Sequence, residues 1–138
     1  MIKVEDFYPL ILEAFSEGKT FTFPIHGTSM QPMLHTNDLV VLEAISHLKR
    51  GDIVLYRREN GQFVVHRIWK VKKDSYTFVG DHQVPLEPNI LYSQCIGKVI
   101  AYKKQGKDKQ YRLKGFRYKV YSFLVRFKLF RGIFGKLL

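Results

Sequence analysis

The sequence predicts a mainly β domain of curved antiparallel sheets, with a short N-terminal helix and an amphipathic C-terminal helix. Three observations carry this. Six runs within residues 20–103 are rich in Val, Ile, Phe and Tyr, which suit a pleated, half-buried surface. The pair Asn60-Gly61 separates two of those runs, as in a tight hairpin. At both chain ends the apolar residues recur instead every three or four positions, the period of a helix. With 138 residues, 46% of them hydrophobic, the chain suffices for one packed domain and is too apolar for wholesale disorder.

In chain order, residues 1–18 form the N-terminal helix. Val4, Phe7, Tyr8, Ile11, Leu12 and Phe15 share one face, and Gly18 stands where a helix stops. Residues 19–104 form the core, with strands expected at 20–25, 38–43, 52–58, 62–71, 75–79 and 96–103. A two-residue type I′ turn at Asn60-Gly61 needs positive φ at both central positions. Counting outward from it sets Glu59 opposite Gln62, Tyr56 opposite Val65 and Leu55 opposite His66. Residues 105–138 form a basic, aromatic tail in which Phe116, Val120, Phe123, Phe127, Phe130, Phe134 and Leu137 make a helical stripe.

The net charge of +11 is unevenly spread. Residues 1–102 hold 11 Lys/Arg and 11 Asp/Glu, whereas residues 103–138 hold 12 Lys/Arg and only Asp108. A neutral body with a basic tail points to the tail as the part that meets an anionic partner. Cys95 is the single cysteine, so no intramolecular disulfide forms. Glu5, Asp6, Glu13 and Glu17 exclude a signal-peptide apolar region at the start, and no uncharged run is long enough to span a bilayer. His26, His35, His47 and His82 lack ligand spacing, so neither a metal nor another cofactor is expected.

The densest chemical signal is His26-Gly27-Thr28-Ser29-Met30-Gln31-Pro32, directly after a strand. A nucleophilic serine works best at the tip of a turn, where its hydroxyl is exposed and backbone N–H groups can meet an oxyanion. Gly27 permits the turn, and Met30 lies beside the groove. Then follow Arg50-Gly51-Asp52-Ile53, Val65-His66-Arg67 and Gly80-Asp81-His82, each at a strand or its edge. Asp38 and Asp52 read as side-chain supports of strand-entry turns.

This ordered set resembles the serine peptidase superfamily of type I signal peptidases and LexA-like self-cleaving proteins. The resemblance covers residues 20–103 and implies that superfamily's curved antiparallel sheets. By position it implies Ser29 as nucleophile, His66 as general base and Asp81 as the aspartate that orients it. Histidine at 66, where bacterial signal peptidases carry lysine, resembles the archaeal and endoplasmic-reticulum branch. Gly27 and Met30 fall at the substrate and oxyanion side of the site. The resemblance further implies cleavage after small residues such as alanine.

The implied function is a serine endopeptidase that cuts a leader or precursor peptide. A soluble peptidase acting on itself or on a regulator is a second reading. A third is a catalytically inert peptidase-fold protein that binds membrane or nucleic acid through its tail. For the tail, a helix over 116–138 would be ~34 Å long, yet its many cations oppose spanning. Arg117, Lys119, Phe123, Arg126, Phe127, Lys128, Phe130 and Arg131 instead suit a helix lying in the interface of an anionic membrane. The expected partners are therefore a peptide substrate and an anionic membrane surface, with no nucleic acid. The expected location is peripheral membrane or cytoplasm. The competing reading packs the tail helix on the protein's own core.

Overall fold

Each of the six β-rich runs forms a strand in the structure, a computed structural model that describes residues 3–125. The strands are β1 (Phe21–Pro24), β2 (Leu39–Glu43), β3 (Ile53–Arg57), β4 (Phe63–Val71), β5 (Tyr76–Val79), β6 (Glu87–Ile90), β7 (Cys95–Lys103) and β8 (Gln110–Arg112). All pairings are antiparallel, in the order β1-β2-β7-β3-β4-β5-β6, with β8 beside the end of β7. Two strands were not expected. β6 carries Pro88, which a strand tolerates at an edge, and β6 is the edge beyond β5. β8 is three exposed residues within a polar link, held by its ladder to β7 and by stacking of Tyr111 on Tyr102.

The β3–β4 hairpin differs from expectation by one residue. Gly61 takes φ +92°, but Asn60 keeps a negative φ and its side chain accepts from the Gln62 N–H at 2.9 Å. The loop is therefore three residues long, closed by the Arg58 N–H donating to the Gln62 carbonyl, the pattern of a type I turn followed by a left-handed glycine. Val54 consequently faces His66, Leu55 faces Val65 and Tyr56 faces Val64. Because directly opposed residues share a face, the slip moves Tyr56 onto the face of His66.

β3 feeds both sides of the core. Ile53 and Leu55 join Ile11, Phe23, Met30, Leu34, Val40, Leu42 and Val99 on one side. Val54 and Tyr56 join Leu48, Val64, Ile68, Phe78 and Ile90 on the other. At the N-terminus the expected single helix is split into a 3-10 turn, Val4–Phe7, and α1, Tyr8–Ser16. Pro9 in the first turn of α1 accounts for the break, since proline has no N–H to donate to the carbonyl four residues back and the α-helical ladder cannot run through it.

The second helix, α2 (Phe116–Val125), turns its apolar stripe outward. The stripe residues Phe116 and Phe123 are 81% and 51% exposed. Ser122 and Val125 are buried instead, and Tyr118 and Tyr121 turn inward with them. The helix docks through hydroxyl groups because its counterpart is a buried arginine, Arg67. The Arg67 guanidinium donates to the Tyr118 hydroxyl at 2.7 Å and to Ser122 Oγ at 3.1 Å. It also lies over the Tyr118 and Tyr121 rings. Within the described residues no helix is long and apolar enough to cross a membrane.

Candidate active site

Ser29 lies half-buried in the turn after β1. Gly27 sets the turn with φ +101°, a conformation that side-chain-bearing residues rarely adopt. Its N–H donates to the Thr36 hydroxyl at 3.1 Å, and that hydroxyl donates back to the Gly27 carbonyl. The Gly27 N–H is thus engaged within the turn, while the residue itself lines the cleft beside Ser29. Met30 is buried in the core and also lines the cleft. Behind the serine, the His82 N–H donates to the Ser29 carbonyl at 2.9 Å. A Cβ at Gly80 would collide with that same carbonyl oxygen, so glycine there is a packing requirement.

Ser29 and His66 line one cleft of about 500 Å³. Its walls come from Phe23 to Gly27 on one side and Gln62 to His66 on the other. Among the described residues both walls are free strand edges: β1 pairs only with β2, and β4 meets β5 only from Arg67 onward.

His66 is 4% exposed. Its Nδ1 lies 3.1 Å from the Tyr56 hydroxyl, which donates to Glu87 Oε1 at 2.6 Å. Arg58 grips the same carboxylate through Nε at 2.8 Å and Nη2 at 2.9 Å. Burial, aided by the Arg58 charge, pushes the His66 imidazole down to about 4 against the pull of Glu87 and Asp81. Burial works to raise the Glu87 carboxyl, but hydrogen bonds from Arg58 and Tyr56 outweigh it and hold it below its ordinary range. Burial and the bond to Glu87 push the Tyr56 hydroxyl up, keeping it protonated.

Asp81 is not the partner of His66, as the sequence resemblance implied. Arg67 follows His66 on β4 and so projects from the opposite face, where it takes Asp81 in a two-point ion pair at 2.7 and 2.9 Å. The Tyr121 hydroxyl donates to the same carboxylate at 2.9 Å. Asp38 and Asp52 accept from the N–H groups of His35 and Lys49, the turn-supporting role their positions suggested. Arg117, Lys119 and Phe123 are exposed on α2, while Arg126, Phe127, Lys128, Phe130 and Arg131 lie outside the described residues. No cluster of His, Cys, Asp or Glu fit for a metal ion occurs among the described residues.

Sequence reasoning missed Tyr56, Glu87 and Arg58. The missing signal for Tyr56 was the register, since only the longer turn brings it to the His66 face. Glu87 stands in a proline-rich stretch that reads as loop.

A sheet of this topology, with a serine turn clamped by the loop after β5, defines the peptidase fold of the LexA and signal peptidase superfamily. Comparison with family models agrees: residues 2–100 match the Peptidase S24-like family. The chain belongs to that family. No curated protein matches it.

Proposed function

We propose that the chain is a serine endopeptidase of the signal-peptidase kind that cuts a leader or precursor peptide, with Ser29 as nucleophile and His66 as general base. The observation that supports this reading is that Ser29 and a buried, neutral imidazole line one cleft whose walls are two strand edges. Histidine as the base aligns the chain with the serine–histidine branch of signal peptidases.

An extended peptide enters the cleft as an added strand, its backbone held by the edges of β1 and β4. The Tyr56 hydroxyl gives its one proton to Glu87, so its oxygen accepts from His66 Nδ1–H. That leaves Nε2 with a free lone pair, the tautomer a base requires. Ser29 Oγ attacks the scissile carbonyl while His66 takes its proton. The Ser29 N–H, which bonds to no other described residue, meets the developing oxyanion. His66 then protonates the leaving amine, and water hydrolyses the acyl-enzyme by the same route in reverse. Tyr56, Glu87 and Arg58 are positioning residues here.

The test is hydrolysis of a library of extended peptides bearing alanine at varied positions, by wild type, Ser29→Ala and His66→Ala. Each substitution is expected to lower turnover by at least about 10³-fold while the fold persists. Undiminished cleavage by the Ser29→Ala protein sinks the reading.

A further inference from the structure

A second cavity, about 520 Å³, opens between α2 and the ends of β2, β3 and β7. Six cations line it, Lys49, Arg50, Lys98, Arg112, Lys114 and Lys119, against two carboxylates, Glu43 and Asp52. One of those carboxylates is already matched, since Lys98 lies 3.5 Å from Asp52. A concave site with this excess of positive charge favours an anion of small-molecule size. Phe123 stands on its rim. Phe116, Val120 and Leu124 are exposed on the same helix, which presents large apolar side chains to the outside beside the cations.

We propose that this end of the molecule docks on an anionic lipid bilayer. The phosphate headgroups enter the cavity among the six cations, and Phe116, Val120, Phe123 and Leu124 enter the acyl boundary. Each half of the surface supplies what the other leaves unexplained. A free phosphate ester accounts for the cations but gives no reason for the exposed apolar row. A nucleic acid gains little from Val120 and Leu124, whereas a bilayer interface rewards aliphatic and aromatic side chains alike. Arg67 places the dock behind the cleft: its guanidinium holds α2 on one face of β4 while its neighbour His66 opens on the other.

The experiment is co-sedimentation of the full chain with vesicles of phosphatidylcholine alone, or mixed equally with phosphatidylglycerol. Binding to the anionic vesicles only, weakening with salt, is expected. Replacing Arg112, Lys114 and Lys119 together by glutamine is expected to weaken it roughly 100-fold, from the usual contribution of a cation near an anionic surface. The thermal midpoint should be unchanged. Phe116→Ser combined with Val120→Ser is expected to lose binding with the cations intact. Triple-variant binding equal to wild type overturns the proposal. So does capture of glycerol phosphate or of duplex DNA by a protein that leaves the anionic vesicles unbound. Repeating the series with Ser29→Ala keeps this question separate from the peptidase reading, since the dock contains no residue of the cleft.

Discussion

The Tyr56 hydroxyl carries one proton, and Glu87 receives it at 2.6 Å with Arg58 holding the carboxylate in place. His66 therefore meets an oxygen with only lone pairs to offer, and its own proton is drawn to Nδ1. Tyr56→Phe removes that acceptor and leaves a buried N–H unsatisfied, at a cost of about 1–3 kcal/mol in stability. It is expected to lower kcat by about 10- to 100-fold with KM nearly constant, because the substrate does not touch Tyr56. Steady-state kinetics separate the two constants, and a KM effect alone contradicts the positioning role. The pH dependence follows from burial. An ordinary histidine gives an acid limb near 6.5, as the sequence suggests, but the His66 imidazole is pushed down to about 4. The acid limb of kcat/KM is accordingly expected near pH 4. Between 6.5 and 4 the unfolded chain binds a proton that the folded chain refuses, so stability declines as the pH drops through that window. The loss amounts to about 3 kcal/mol. Denaturant midpoints should show it, and His66→Gln should flatten that part of the curve.

At the scale of the element, β4 divides two tasks between consecutive residues. His66 opens on the cleft, and Arg67 bonds to α2 and to the loop that clamps Ser29 from behind. Asp81→Asn leaves the buried Arg67 without its full counter-charge, which costs about 3–5 kcal/mol. It is expected to lower the thermal midpoint and to speed amide exchange in α2, where Tyr121 shares the carboxylate. Lost activity at unchanged stability would instead return Asp81 to the role of orienting His66. The sequence was most legible at this scale. Six strands stood out because their β-branched and aromatic runs are long and bounded by turn residues. The same text concealed β6 behind Pro88 and β8 within a lysine-rich link. It also concealed the polar face by which α2 packs on the sheet. That helix packs against a guanidinium and uses Tyr118, Tyr121 and Ser122 to do so, a choice fixed by Arg67 and invisible to a count of apolar residues. Ser29 and His66, singled out from their boxes, line one cleft. Tyr56 depended on one residue of hairpin register, which turned on whether Asn60 joined Gly61 at positive φ.

For the whole molecule, the sheet keeps apart two surfaces of different chemistry. The cleft lies between the edges of β1 and β4, where the proposed peptide substrate would add as a strand. The cationic cavity lies under α2, on the side to which Arg67 points. Of the lysines and arginines after residue 102, Arg112, Lys114 and Lys119 line the second surface. The cleft lined by Ser29 and His66 is thus separate from the cationic and apolar surface at α2. Peptide cleavage as proposed passes an acyl group through the Ser29 oxygen. The most direct measurement is intact-protein mass spectrometry, with peptide mapping, after brief exposure of the full chain to an activated ester of an alanine-terminated peptide. One acyl group on Ser29 in the wild type, absent from Ser29→Ala and greatly slowed in His66→Ala, is the expected result. A wild-type chain that stays unmodified, or equal acylation of the Ser29→Ala protein, contradicts the account.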